Sequence, residues 1–93
     1  MSELSIDEQF EETLIISRRI SKNISKNNFI KLYAYFKQAR EGNISFERPS
    51  ILNMDFLNKW KAWKKLENMS SEDAKINFIA LVKHIIKSFD YFL

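Results

Sequence analysis

Fifteen consecutive residues, NFIKLYAYFKQAREG from Asn28 to Gly42, restrict this chain more than any other stretch. Apolar and basic side chains recur in it at helical spacing. On a wheel of about 100° per residue, Phe29, Tyr33, Phe36 and Arg40 share one face, with Lys37 at its edge. Leu32, Tyr35 and Ala39 cover the adjoining arc, which leaves Lys31 and Gln38 as the polar strip. A helix that is apolar around so much of its circumference is covered on more than one side by other elements. The rings beside cations also offer a surface for an aromatic, anionic ligand, although core packing with solvated charges gives the same pattern.

The remainder of the chain supplies the covering elements in helical form. With one Gly and one Pro in 93 residues, the sequence lacks the corner residues that a turn-rich all-β fold requires. Ser5 and Glu8 have the spacing of a capping box, and Ile6, Phe10, Thr13, Leu14, Ser17 and Ile20 then recur on one face. A first helix is expected over about Ser5 to Ile20, with Arg18 and Arg19 suited to its C-terminal dipole. Residues 21–28, SKNISKNN, have no period and read as a loop with Ile24 turned inward. The second helix is the opening stretch, stopped by Gly42.

Asn53 can cap a third helix from about Met54 to Asn68, in which Phe56, Trp60, Trp63 and Leu66 make an apolar stripe among Lys59, Lys61, Lys64 and Lys65. Ser70-Ser71-Glu72-Asp73 is a further N-cap with acids in the first turn. Ala74, Phe78, Leu81, Val82, Ile85 and Phe89 form the core stripe of a fourth helix reaching towards Ser88, and residues 90–93 are apolar enough to pack. Four amphipathic helices with polar joints make an all-α four-helix bundle, one domain over residues 1–93. Residues 43–52, NISFERPSIL, are the longest loop. Ten residues reach about 33 Å, more than the roughly 22 Å length of a 15-residue helix. An overhand connection making helices 2 and 3 parallel is therefore allowed.

Chemistry that makes or breaks bonds has little to stand on here. No cysteine is present, His84 is the single histidine, and one Gly cannot build a phosphate-binding loop. Glu8, Glu11 and Glu12 belong to the solvated side of helix 1, so the chain is not read as an enzyme. A net charge of +3 falls short of the continuous basic excess of a nucleic-acid binder. No apolar run approaches a membrane span, and the acidic N-terminus does not have the form of a signal peptide.

Taken in order, Tyr33, Phe36-Lys37-Gln38-Ala39, Gly42, Glu47-Arg48-Pro49 and Lys59-Trp60-Lys61-Ala62-Trp63 resemble the pattern of the acyl-CoA-binding protein family. That pattern is Tyr-x-x-Tyr-Lys-Gln-Ala, a Gly four residues after the Gln, Arg-Pro, and Lys-Trp-x-Ala-Trp. Each piece is weak alone; the order and spacing over about 30 residues make the set specific. The likeness runs from Phe10 to the Ser-x-Glu-Asp-Ala of residues 70–74. It implies an up-down-down-up bundle, in agreement with the reach of the long loop. It further implies non-covalent binding, buffering and intracellular transport of long-chain acyl-CoA esters by a cytoplasmic monomer. Such a protein has no cofactor or metal, no nucleic-acid partner and at most transient membrane contact.

By position, the resemblance assigns the head group to Tyr33, Ala34, Tyr35, Phe36 and Lys37 on helix 2, Lys59 on helix 3, Arg18 and Phe78. Phe36 and Phe78 stand where the family has Tyr, so ring stacking is kept and a phenolic hydrogen bond is lost. Lys37 and Lys59 suit the phosphates as point charges, and Arg18 as a fork. Leu14, Phe29 and Ile30 are the candidates for the acyl groove, near the meeting of helices 1 and 2. The competing readings are a helical module whose exposed aromatics dock a partner helix, and a nucleic-acid binder using the lysines at 59–65.

Overall fold

Ser5 caps the first helix as its spacing to Glu8 implies: its hydroxyl accepts from the Glu8 amide, and the Glu8 carboxylate accepts from the Ser5 amide. The computed structural model describes residues 3–91, with the backbone alone at Asp90 and Tyr91, so the expected packing of the tail at 90–93 lies outside what it describes. Within it the helices are α1 (Ile6–Ile20), α2 (Lys26–Glu41), α3 (Met54–Lys64) and α4 (Ser71–Tyr91), and a 3₁₀ turn at Ser21–Asn23 follows α1. No helix among the described residues is long and apolar enough to cross a membrane.

Contacts at the helix ends set the topology. Lys75 meets Asp7 at 2.7 Å, which places the start of α4 beside the start of α1. Lys26 meets Asp55 at 2.9 Å, which places the starts of α2 and α3 together. The Lys26 hydrogen bond holds the Asp55 carboxyl below the usual carboxylate range. The Ser71 hydroxyl donates to the Ala39 carbonyl at 2.7 Å, so α4 begins where α2 ends. Helices α1 and α4 are thus parallel to each other, and so are α2 and α3, with the second pair running opposite to the first. This is the up-down-down-up order with a long connection between α2 and α3.

Packing runs α1 on α4, α4 on α2 and α2 on α3. The main core is built by Phe10, Leu14, Leu32, Ala39, Ala74, Phe78, Val82 and Ile85. At its centre the Phe10 and Phe78 rings meet edge-on at 5.2 Å, the arrangement that an aromatic quadrupole favours. A smaller cluster of Ala34, Ile44 and Trp63 joins α2, α3 and the long loop. The loop is held from outside as well: Trp60 Nε1 donates to the Phe46 carbonyl, and the Phe46 ring stacks on Phe56.

The structure alters the expected boundaries and stripes in four places. Helix α2 starts at Lys26, not Asn28, because the Ser25 hydroxyl accepts from the Asn28 amide and caps a turn that the Asn-rich composition disguises. Helix α3 ends at Lys64, four residues before Asn68, which adopts the left-handed φ of 74° that Asn tolerates. In α3 the fully buried residue is Leu57, outside the expected stripe, while Phe56 lies at the surface against Phe46. Gln38, expected on a polar strip, is only 1% exposed.

Gln38 explains its own burial. Its amide nitrogen donates to Asn43 Oδ1 at 3.0 Å and to the Met69 carbonyl at 2.9 Å. Its amide oxygen accepts from Trp63 Nε1, which also donates to the Gly42 carbonyl. Asn43 in turn bonds the backbone and side chain of Asn68. A buried amide satisfied on both sides ties together the end of α2, the end of α3 and the approach to α4. Gly42 closes α2 at φ 78°, ψ −150°, a backbone region essentially reserved for glycine.

Candidate functional site

The face of α2 carrying Phe29, Tyr33 and Phe36 opens onto a cleft of about 320 Å³. Leu14, Ser17 and Arg18 of α1, Ser21 and Ile24 of the connection, Leu32 of α2 and Phe78 of α4 complete its lining. The cleft exists because the end of α1 and the turn after it lie over α2 without filling the space between them. Its polar rim is confined to Ser17, Arg18, Ser21 and the Tyr33 phenol, and the remaining walls are apolar. The two serine hydroxyls donate back to the Leu14 and Arg18 carbonyls, which sets which way they face.

Cations border this lining in two different states. Because α2 and α3 are parallel and in register, Lys59 of α3 reaches α2: its ammonium lies 5.2 Å from the centre of the Tyr33 ring and 5.5 Å from that of Phe29. No carboxylate pairs with Lys59 or with Arg18 among the described residues. A lysine steadied by two π faces keeps its hydrogen-bonding capacity for an anion. Lys37 differs, since its ammonium meets Glu41 Oε2 at 2.7 Å and lies 5.8 Å from the Tyr33 ring. The hydrogen bond to Glu41 raises the Lys37 pKa above the ordinary lysine value.

Arg40 supports the site from behind. Its Nη2 donates to both oxygens of Glu11, at 2.7 and 3.0 Å, and its guanidinium lies 5.5 Å from the centre of the Phe36 ring. One ion pair therefore joins α1 to α2 and backs the Phe36 ring. Among the described residues no group of His, Asp and Glu is placed to hold a metal ion, and His84 is exposed on α4.

Of the residues singled out from the sequence, Leu14, Arg18, Phe29, Tyr33, Phe36 and Phe78 line this one cleft, with Lys37 and Lys59 against its aromatic wall. Ala34, Tyr35 and Ile30 lie apart from them. They line a second groove on the other side of α2, between α3 and α4. A helix turns by about 100° per residue, so neighbours of a site residue in sequence are carried off its face. Phe29, Tyr33, Phe36 and Phe78 converge on this concavity, while the exposed Phe46 and Phe56 stack on each other outside its lining. The lysines at 59–65 do not act as one patch: Lys64 pairs with Glu67, and Lys61 and Lys65 face the second groove.

A family model described as "Acyl CoA binding protein" matches residues 7–82. The chain belongs to the acyl-CoA-binding protein family. It is 36% identical over 84 residues to the acyl-CoA-binding protein of Saccharomyces cerevisiae, with 90% of this chain and 97% of that one aligned. It is 34% identical to the acyl-CoA-binding protein of Ricinus communis, over 89% of this chain and 92% of the other. The crystal structure of Oryza sativa acyl-CoA-binding protein 2 superimposes with a TM-score of 0.87 at 32% identity, covering 94% of this chain and 97% of that one. The fold of the acyl-CoA-binding protein family is thus the fold seen here, four helices with no strand among the described residues.

Within that family, this member brings a cleft whose Phe36 and Phe78 walls carry no hydroxyl. Phe78 is 2% exposed and braced by Phe10, so its ring is part of the core as well as of the cleft. Sequence reasoning passed over Ser17, Ser21 and Leu32 as cleft residues. The i, i+3 spacing of Leu14, Ser17 and Ile20 carried the signal for Ser17, and Ser21 follows by the same period. It also passed over the Glu41 partner of Lys37, which the i, i+4 spacing makes readable.

Proposed function

We propose that this chain binds long-chain acyl-CoA esters non-covalently, one per monomer, and buffers and carries them in the cytoplasm. The observation that carries the reading is the Lys59 ammonium, poised over the Tyr33 and Phe29 rings beside an apolar cleft. Coenzyme A combines an adenine, a 3′-phosphate, a diphosphate and, as an ester, a long hydrocarbon tail. Lys59 and Arg18 take phosphate oxygens, and Lys37 joins them by exchanging the Glu41 carboxylate for a phosphate of higher charge. Tyr33 or Phe36 stacks the adenine, since stacking needs only the π face. Leu14, Phe29 and Leu32 receive the acyl chain. The relatives named above are acyl-CoA-binding proteins by title, which supports carrying that ligand over. Binding and release complete the task, and the reading assigns no bond-making step to any residue.

Lys59→Ala is expected to weaken palmitoyl-CoA binding by about 1–3 kcal/mol, the scale of a hydrogen bond to a charged group. Lys61→Ala, facing the far groove, is expected to leave affinity unchanged, and both variants should unfold within about 0.5 kcal/mol of the parent. Isothermal titration calorimetry measures the first effect and denaturant unfolding the second. Equal losses for both lysines would mean that diffuse electrostatics, not a placed ammonium, attracts the head group.

A further inference from the structure

Asp55 and Lys59 stand four residues apart on α3 with the acid nearer the N-terminus, the order and spacing that favour a carboxylate–lysine pair along a helix. They do not pair. The Asp55 carboxylate turns across to α2, where the Lys26 ammonium donates to its Oδ1 at 2.9 Å. Lys59 rests over Phe29 and Tyr33, which follow Lys26 at i+3 and i+7 on one face of α2. Lys37 has no such diversion: Glu41, also four residues away, holds its ammonium at 2.7 Å. The Lys26 hydrogen bond is the largest influence lowering the Asp55 carboxyl pKa, and the Lys59 charge adds a smaller one. Lys59 is thus within electrostatic reach of a carboxylate that it does not bind.

We propose, on the acyl-CoA reading of the cleft, that Lys26 is a positioning residue for the head group: by holding Asp55 it keeps the Lys59 ammonium free for a phosphate. Without Lys26, the Asp55 carboxylate turns back along one helical turn and pairs with Lys59. A phosphate must then displace that carboxylate before it gains the ammonium, as it must already displace Glu41 from Lys37. The side chains of Lys26 and Asp55 are 71% and 75% exposed, and ion pairs so exposed contribute little to folding. Holding the starts of α2 and α3 together is a minor part of what this pair does, because Ala34, Ile44, Trp63 and the Gln38–Trp63 hydrogen bond already join the two helices. Lys26 is not part of the cleft lining, and its ammonium is committed to Asp55. Its influence on the ligand therefore passes through Asp55 and Lys59.

The test is calorimetric titration of the full chain and its variants with palmitoyl-CoA. Lys26→Met should weaken binding about two- to fivefold, the scale of displacing an exposed ion pair. Lys26→Arg, which still offers Asp55 a donor, should match the parent. Lys26→Met/Asp55→Asn should recover the parent affinity, because Lys59 then has no acid to meet. Lys26→Met/Glu67→Gln carries the same net charge as that double variant but retains Asp55, and it should stay as weak as Lys26→Met. Unchanged affinity in Lys26→Met would overturn the proposal. So would a loss that Asp55→Asn does not rescue, which would make Lys26 a structural staple or a ligand contact. Equal rescue by Glu67→Gln would do the same, since net charge alone would then explain the loss. A ligand-free measurement separates this proposal from the acyl-CoA reading. The change in the Asp55 carboxyl pKa caused by Lys59→Met, followed by NMR, should be larger in the Lys26→Met background than in the parent. An equal change would overturn the proposal whether or not palmitoyl-CoA binds, whereas a parent that binds none would count against the cleft reading alone.

Discussion

Coenzyme A without its acyl chain is expected to bind at least a thousandfold more weakly than palmitoyl-CoA. Each buried methylene contributes roughly 0.8 kcal/mol, so complete burial of a palmitoyl chain's 14 methylenes would reach about 11 kcal/mol before ordering costs. The cleft is open to solvent along part of its length and accommodates only part of such a chain. Burial of about half the methylenes still leaves about 4–6 kcal/mol, which is a factor of roughly a thousand or more in affinity. The cations act differently. Lys59, Arg18 and Lys37 exchange water or Glu41 for phosphate, so their net gain is about 1–3 kcal/mol each. The tail therefore supplies a share of the affinity comparable to that of the three cations together, while the head group distinguishes the ester from a free fatty acid. Competition calorimetry with CoA displacing palmitoyl-CoA measures the ratio. A ratio below ten would mean that the chain stays in solvent and that Leu14, Phe29 and Leu32 are ordinary core.

Replacing Gln38 with Leu is expected to be the most damaging single change to folding outside the hydrophobic core. Leucine fits a similar volume but offers no hydrogen bonds. The Met69 carbonyl loses its Gln38 donor, while Asn43 Oδ1 retains the Asn68 amide and Trp63 Nε1 retains the Gly42 carbonyl. One orphaned acceptor costs about 1–3 kcal/mol, and two further lost hydrogen bonds about 1 kcal/mol each. A total of about 3–5 kcal/mol lowers Tm by roughly 12 °C or more in a domain of this size. The affinity for acyl-CoA should fall with it, because Gln38 bonds Trp63 and so holds α3 in register with α2. That register is what brings Lys59 over Tyr33. A Tm within about 3 °C of the parent would show the network to be dispensable, given the 4–8 °C expected per kcal/mol.

Much of this architecture is legible in the residues, for reasons that differ from element to element. The start of α1 is announced by a reciprocal pair, Ser5 and Glu8, whose chemistry is entirely local. The parallel arrangement of α2 and α3 is allowed by loop reach and implied by the family resemblance, and the structure realises it with the Lys26–Asp55 pair. Periodicity finds the aromatic face of α2, and the Lys37–Glu41 pair needs only i, i+4 spacing. What depends on distant partners is not readable in the same way. Gln38 looks like a surface residue until Asn43, Trp63 and Met69 arrive to bond it. Leu57 and Phe56 are adjacent apolar residues, and the Phe46 ring in the long loop leaves Phe56 at the surface.

The candidate site divides along the same line. Family motifs are linear, so they name whole runs such as residues 33–37, yet a helix sends consecutive side chains in different directions. Tyr33 and Phe36 reach the cleft, while Ala34 and Tyr35 line the groove on the far side. Ile30 parts from Phe29 for the same reason. Ser17 and Ser21 share the face of Leu14 by helical spacing, but that this face borders a cleft depends on the end of α1 and its 3₁₀ turn lying over α2, which is a tertiary placement.

The measurement that addresses the central claim most directly is an NMR structure restraint set for the labelled protein with one equivalent of palmitoyl-CoA. Contacts are predicted from the acyl methylenes to Leu14, Phe29 and Leu32, and from the adenine protons to Tyr33 or Phe36. The Lys59 and Arg18 side chains should shift with the phosphates, and the spectrum should stop changing at one ligand per chain. Ligand contacts at Ile30, Leu66 and Leu81 instead, or no saturable binding at all, would contradict the assignment of the cleft as the acyl-CoA site.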